Sequence, residues 1–222
     1  MKTLKIFLFN RFNVLFPLFA LTTLSILLLS IRLKITHSFF YLFLVWNLFL
    51  AMIPYFISSY ITHKKQMKKW KRYAFLTIWL LFLPNAPYLL TDFIHLRLSP
   101  QNWVVYDVLV IVLFAITGLA FYLYSLKDTA QILTTHFNKK KVSKFILALP
   151  FLVSFGMYLG RVLRWNSWDL LHKPFGLFTD VFTIFTNPVD NLKAWLFTIL
   201  FGMFLKLSYW FFEKFLFNYM KF

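Results

Sequence analysis

Two short stretches of this sequence collect the residue types that could do chemistry. The first reads PNAPYLLTDFIHL over residues 84–96, and it places Asp92 and His95 three residues apart. On a helical turn this spacing brings a carboxylate beside an imidazole. The pair could act as a general base, supply two metal ligands, or belong to a helix-end network in which Asp92 pairs with an arginine. A metal would need further ligands, for which the candidates are His37, Asp107, Asp169 and His172.

Two prolines and a lone acid complete this first group. Pro84 and Pro87 lie three apart and predict a break in their helix, whose freed carbonyls Asn85 can bond. Asp107 lies about one turn inside a later apolar run. A carboxylate there is costly unless it faces other helices and pairs with a cation. We therefore hold Asp107 as a candidate catalytic group with Asp92 and His95, or as half of an ion pair between helices.

The second stretch reads GRVLRWNSWDL over residues 160–170. Arg161 and Arg164 are predicted to share one side of a helix, which Trp165 and Trp168 continue. Two arginines can hold a phosphate or carboxylate by forked hydrogen bonds, and we include Asn166 and Trp168 in this candidate anion site. The alternative is an interface anchor with salt bridges to acids, of which Asp92, Asp107 and Asp169 are the candidates.

Three further residues near this stretch are predicted to be structural. Gly156 and Gly160 form a small-xxx-small pair that permits close helix packing. Asp169 is also predicted to be structural, as a possible salt-bridge partner of the arginines. A triad of Ser167, Asp169 and His172 is disfavoured, because residues two apart on a helix do not face each other. The chain has no cysteine and no phosphate-loop or dinucleotide motif, so it indicates neither a cofactor nor a known reaction.

The elements that must position these residues follow from the composition. Of 222 residues, 60% are apolar and only 14% are charged. A soluble domain could not bury so much apolar surface, and a disordered chain would not contain it. The sequence predicts an all-α, polytopic helix bundle that forms a single transmembrane domain over residues 1–222. Six apolar runs are long enough to span a bilayer, at residues 12–31, 39–61, 73–90, 103–126, 145–163 and 192–212.

The basic residues predict the direction of these spans. The net charge is +17, and seventeen of the 24 lysines and arginines lie on one side if both termini are cytoplasmic. Such asymmetry is typical of cytoplasmic loops near anionic lipid, so no nucleic acid partner is expected. Most acids and histidines then fall on the outer side. We expect a polar pocket there, formed by the third, fourth and fifth spans.

Residues 174–190 are too short to span a membrane. Phenylalanines recur in this segment at helical spacing, and Pro174 and Pro188 bracket it. It is predicted to be an amphipathic interfacial or re-entrant helix near 174–187 that covers the pocket. A helix packed outside the membrane without lipid contact is the alternative.

Together the two stretches resemble an uncharacterised family of bacterial integral membrane proteins, known as a domain of unknown function. The resemblance covers about residues 40–212. It implies a small multi-pass protein of the bacterial cytoplasmic membrane, within the cell envelope. It implies no activity, and it leaves open whether the protein binds a metal, a cofactor or a protein partner.

The leading functional hypothesis is that the outer pocket binds or modifies an anionic envelope lipid or a lipid-linked sugar. The acids and His95 would supply proton transfer or ion pairing, and the arginines would hold the headgroup. A non-catalytic assembly or partner protein is the first alternative. A small transporter is the second, and it is disfavoured because the inner halves of the predicted spans are almost wholly apolar.

Overall fold

The computed structural model describes residue 9 and residues 11–64 and 66–216, and all regular structure in these ranges is helical. Four lysines of the predicted inner face, Lys2, Lys5, Lys65 and Lys221, lie outside the described residues. The α-helices in the described part are α1 (Phe12–Thr36), α2 (Phe43–His63), α3 (Lys69–Phe82), α4 (Asn85–Tyr88), α5 (Val104–Thr134), α6 (Lys139–Arg161), α7 (Asp169–His172), α8 (Pro174–Thr186) and α9 (Leu192–Phe211). Short 3₁₀ helices cover Phe40–Leu42, Leu89–Leu98 and Gln101–Trp103, and a π-helix covers Phe212–Leu216.

The six predicted spans are confirmed as helices long and apolar enough to cross a membrane. They contain α1, α2, α3 with α4, α5, α6 and α9. Two helices are longer than their predicted apolar runs: α5 continues to Thr134, and α6 already begins at Lys139. Lysine and glutamine are good helix formers, so these helices continue where the apolar run has ended. The direction of the spans stays a prediction.

The chain divides into two compact units, Met1–Ile132 and Leu133–Phe222. The first contains α1 to α4 and most of α5, and its core includes Leu44, Leu48, Ile111 and Phe114, each at most 1% exposed. The prediction of a single domain over the whole chain stays a prediction.

The third span is broken at the predicted place. α3 ends at Phe82, α4 begins at Asn85, and a 3₁₀ helix of ten residues follows it. The Asn85 amide donates to the carbonyl of Phe82 at 3.1 Å, which satisfies a group freed by the break. α5 passes close to this break at Gly118, where an added Cβ would lie within 3.0 Å of the backbone oxygen of Ala86.

In the second unit α6 and α9 are antiparallel. The side chain of Phe151 packs against Gly202, and the ring of Tyr158 lies 5.8 Å from that of Phe197. From the first contact to the second, the residue number rises along α6 and falls along α9, as it must for antiparallel helices. Ile184 of α8 is buried beside Tyr158, so α8 packs on the end of this helix pair.

Candidate functional site

Asp92 and His95 meet on one face of the 3₁₀ helix, as their spacing predicts. The imidazole Nε2 lies 4.0 Å from Asp92 Oδ1, and the Asn47 amide donates to Oδ2 at 3.2 Å. Asp92 is fully buried, whereas 29% of the His95 side chain is exposed. The ring of Phe43 lies 4.6 Å from the imidazole and restricts its orientation. The geometry is that of a buried carboxylate positioning a half-buried imidazole.

Asp107 has the cationic partner that its depth requires, and the partner is Arg32 of α1. The Arg32 Nε donates to Oδ1 at 2.6 Å and an Arg32 terminal nitrogen donates to Oδ2 at 3.1 Å. The Ser99 hydroxyl also donates to Oδ2, and the indole of Trp103 lies 5.2 Å from the guanidinium. Both carboxylate oxygens are therefore occupied, and both side chains are almost completely buried. This arrangement favours the helix-tying role of Asp107 over the catalytic one.

A second ion pair between the same two helices was not anticipated from the sequence. Arg11, just before α1, donates to both oxygens of Asp128 at 2.6 and 3.1 Å, and to Ser59 at 3.1 Å. Burial lowers the pKa of Arg11, but hydrogen bonding and attraction by Asp128 outweigh it and raise this pKa above its usual value. The available signal was Asp128 itself, an acid at the end of a span that needs a cation.

These two ion pairs have the same register. Arg11, at the N-cap of α1, and Arg32 are 21 residues apart, and Asp107 and Asp128 on α5 are 21 residues apart in the opposite order. At 1.5 Å per residue the separation is about 31 Å, which matches the thickness of the hydrocarbon core. α1 and α5 are thus joined by a charged contact at each end of a bilayer-length stretch.

The hydroxyl groups inside the first unit correct one expectation. Polar contacts lie at several depths along α5, since Ser25 and Thr117 are 3.0 Å apart and the Trp79 indole donates to Ser125 at 2.7 Å. With the predicted direction of the spans, Thr117 and Ser125 lie in the inner half of the fourth span, which the sequence analysis expected to be almost wholly apolar. Between Asp107 and Thr117, however, α5 buries Val110, Ile111 and Phe114, the last two completely.

Arg161 and Arg164 do not share a helix face, which corrects that prediction. α6 ends at Arg161, and Arg164 has a left-handed backbone with φ of 61°. The next amide, that of Trp165, donates to the carbonyl of Leu159 at 3.0 Å and closes the turn. Glycine is usual where a chain leaves a helix in this conformation, so an arginine at this position does not predict it. Arg161 is half-buried and Arg164 is exposed.

The two tryptophans of this turn also separate. The Trp165 indole donates to Asp180 of α8 at 2.8 Å and lies over Gly176, so it fastens the turn to α8. Trp168 is 38% exposed.

Asp169 accepts hydrogen bonds from the backbone and the side-chain amide of Asn166, at 2.7 and 3.1 Å. These two bonds support the structural role predicted for Asp169. They also mean that the side-chain amide nitrogen of Asn166 already donates to a carboxylate. Gly156 and Gly160 are both partly exposed, and close packing at them stays a prediction.

Exposed phenylalanines cover one side of α8. Phe175, Phe178, Phe182 and Phe185 are between 58% and 87% exposed, and Ile184 on the other side is buried. Lys173, which directly precedes α8, and His172 are exposed as well. A short helix with an apolar outer face and a lysine at its start is typical of an interfacial helix.

No three His, Asp or Glu residues gather into a possible metal site in the part of the chain that the structure describes. Asp92 and His95 belong to the first unit, and Arg161, Arg164, Asn166, Trp168 and Asp169 belong to the second. The pocket expected between the third, fourth and fifth spans stays a prediction.

The comparisons with known proteins give one match. The family described as "Protein of unknown function (DUF1361)" matches residues 46–207. The chain belongs to this family. No curated protein and no solved structure matches it.

The matched segment of this DUF1361 protein contains both stretches singled out in the sequence. It also contains Asp107 and Asp128, but it begins after Arg11 and Arg32. Each ion pair thus joins an acid within the matched segment to an arginine that precedes it. For this DUF1361 protein the family description adds no activity, so functional inference rests on the geometry.

Proposed function

We propose that this protein binds the phosphate-bearing headgroup of an anionic lipid at the membrane surface. The binding element is the turn after α6, residues 161–173, and α8 lies in the same leaflet. A glycerophospholipid and a lipid-linked sugar phosphate share the chemistry that this turn would recognise. The function is therefore anionic lipid binding, which is the first half of the hypothesis drawn from the sequence.

The conformation of Arg164 is the observation that carries this proposal. A left-handed backbone costs a residue other than glycine roughly 1–2 kcal/mol, and this cost is borne by an exposed arginine. The Trp165 amide closes the turn through the backbone, but within the described part of the chain the Arg164 guanidinium makes no hydrogen bond or ion pair, so the side chain itself has no internal role that explains an arginine here. Strain of this kind is concentrated at functional sites. A guanidinium fork is well suited to a phosphate.

The surroundings of Arg164 supply the lipid contact. Trp165 fastens the turn to α8, whose four exposed phenylalanines would enter the acyl region. Lys173 lies exposed at the start of that helix and adds positive charge near the headgroups, and the imidazole of His172 is exposed beside it. This combination favours the lipid-contacting form of α8 over a helix packed outside the membrane.

Transport is disfavoured by the first unit. Its buried polar contacts are interrupted between Asp107 and Thr117, where Val110, Ile111 and Phe114 fill about 15 Å of α5. Ions need a continuous polar route through this depth. For a lipid-modifying reaction the candidate acid–base group is His95, because both oxygens of Asp107 are already occupied.

The decisive experiment replaces Arg164 by glycine. This change removes the guanidinium and also relieves the left-handed backbone, so we expect the melting temperature to be unchanged or higher. The preference for phosphatidylglycerol over phosphatidylcholine, measured by native mass spectrometry, should fall about tenfold, as expected for losing one charged hydrogen-bond pair.

Lys193→Ala is the matched control, because it removes another exposed cation from the second unit. It should leave the preference for phosphatidylglycerol within about twofold of the native value. An undiminished preference in Arg164→Gly, or an equal loss in both variants, contradicts the proposal. An assembly or partner protein then becomes the better hypothesis.

A further inference from the structure

The C-terminal end of the third span is a 3₁₀ helix of ten residues, Leu89–Leu98. Helices of this type rarely exceed three or four residues, because their i→i+3 hydrogen bonds have poorer geometry than α-helical ones, and such stretches often mark a hinge. Pro84 and Pro87 separate the segment from α3, so that helix does not continue into it. Contacts of its own side chains must therefore contribute to its stability.

The 3₁₀ geometry places Asp92 and His95 directly above one another. Side chains three residues apart eclipse in a 3₁₀ helix, whereas in an α-helix they are rotated by about 60°. The imidazole Nε2 accordingly lies 4.0 Å from Asp92 Oδ1. An attraction between these two side chains thus favours the 3₁₀ form of the segment over an opened one.

One member of this pair is held by α2, and the other reaches water. Asp92 is fully buried, and its Oδ2 accepts from the Asn47 amide at 3.2 Å. The His95 side chain is 29% exposed, and the rings of Phe43 and Phe40 lie 4.6 and 6.1 Å from its imidazole. A proton from the aqueous phase can therefore reach the imidazole while the carboxylate stays in place.

Imidazole is the side chain whose charge ordinarily changes between about pH 5 and 8. The 3₁₀ helix and the elements next to it carry further charged or titratable groups on Asp92, Arg97, Tyr41, Tyr88, Asp107 and Arg32. Phenols stay uncharged in this range. Arg97 is exposed to solvent, and Asp107 and Arg32 are bonded to each other. In this group of residues it is therefore His95 that responds to pH.

We infer that protonation of His95 switches the segment Leu89–Leu98 between a closed 3₁₀ form and an opened form. The imidazolium attracts the buried carboxylate of Asp92 and closes the segment, whereas a neutral imidazole gives up this attraction. Because the closed form binds the proton more tightly, closure is favoured at low pH and is lost as the pH rises. With the predicted direction of the spans, His95 senses the pH on the non-cytoplasmic side. The inference does not depend on the lipid-binding proposal.

Hydrogen exchange of the full-length protein in detergent micelles measures this opening directly. After correction for the intrinsic pH dependence of exchange, the amides of residues 89–98 should be about fivefold less protected at pH 7.5 than at pH 5.5, the effect of one charge pair that is partly open to water. The amides of α9, which contains no histidine, should show no such change and serve as the internal control.

Two substitutions should make the protection of residues 89–98 independent of pH. His95→Gln keeps a polar side chain of similar size that does not titrate, and Asp92→Asn removes the charge that attracts the imidazolium. His37→Gln is the matched control, because it removes an exposed histidine of the same unit, and it should keep the fivefold ratio.

Equal protection at the two pH values in the native protein overturns the inference, as does greater protection at pH 7.5. A fivefold ratio that persists in His95→Gln assigns the effect to another group and overturns it too. The comparison within the native protein needs no variant to fold.

Discussion

At the scale of single residues, the two buried acids of α5 are compensated by arginines from α1. Removing one partner of a buried pair leaves an uncompensated charge, whereas replacing both by apolar residues of similar size removes the desolvation cost as well. The Arg32–Asp107 pair is the more buried of the two, with side chains 4% and 0% exposed. Its contribution should therefore depend strongly on which of its members is changed.

Arg32→Met should destabilise the protein by about 3–5 kcal/mol, because Asp107 would remain buried without its cation. The double variant Arg32→Met/Asp107→Leu should recover most of that loss. Unfolding in mixed micelles, followed by tryptophan fluorescence, measures both. If the double variant is no more stable than the single one, the cost does not arise from the unpaired carboxylate.

The sequence could predict the need of Asp107 for a cation, because the depth of an acid in a span is readable from hydropathy. It could not predict that Arg32 is the partner, because Arg32 lies 75 residues away and reaches Asp107 only through the packing of α1 on α5. The left-handed backbone of Arg164 was equally unpredictable, because arginine is not one of the residue types that favour this conformation.

At the scale of elements, the break in the third span and the glycine that faces it depend on each other. Pro84 and Pro87 made the break predictable from local sterics alone. The close approach of α5 at Gly118 was not predictable, because it depends on how two distant segments pack. The contacted atom is the backbone oxygen of Ala86, which cannot turn aside.

Gly118→Ala should therefore cost about 2–3 kcal/mol through overpacking against that oxygen. Gly202→Ala makes a similar collision, but with the ring of Phe151, which can rotate. Its cost should stay below about 1 kcal/mol. Thermal unfolding of the two purified variants compares them, and equal losses would show that the backbone contact is no more rigid than the ring.

At the scale of the whole molecule, the lipid-binding proposal depends on which side of the membrane each loop occupies. Hydropathy predicted all six spans, because length and apolar content alone decide whether a helix can cross the bilayer. Direction depends on the asymmetry of lysine and arginine. The exposed Lys69 and Lys140 should lie on the cytoplasmic side, and Arg97 and Lys193 on the other.

Single cysteines at these four positions can verify this arrangement, because the chain has no cysteine of its own. An impermeant maleimide should label Arg97→Cys and Lys193→Cys in intact cells. Lys69→Cys and Lys140→Cys should react only after permeabilisation. Labelling of Lys193→Cys from the cytoplasmic side would contradict the predicted direction of the spans.

The ion pairs between α1 and α5 also bear on how the protein is made. The first helix leaves the ribosome with Arg32 near one end, and Asp107 is synthesised 75 residues later. Until then the guanidinium lacks its carboxylate partner, so we expect α1 to lie shallow in the membrane with Arg32 at the interface. We expect it to reach its final depth only after the fourth span is inserted, and a nascent chain released before Asp107 should be a substrate for quality-control proteolysis.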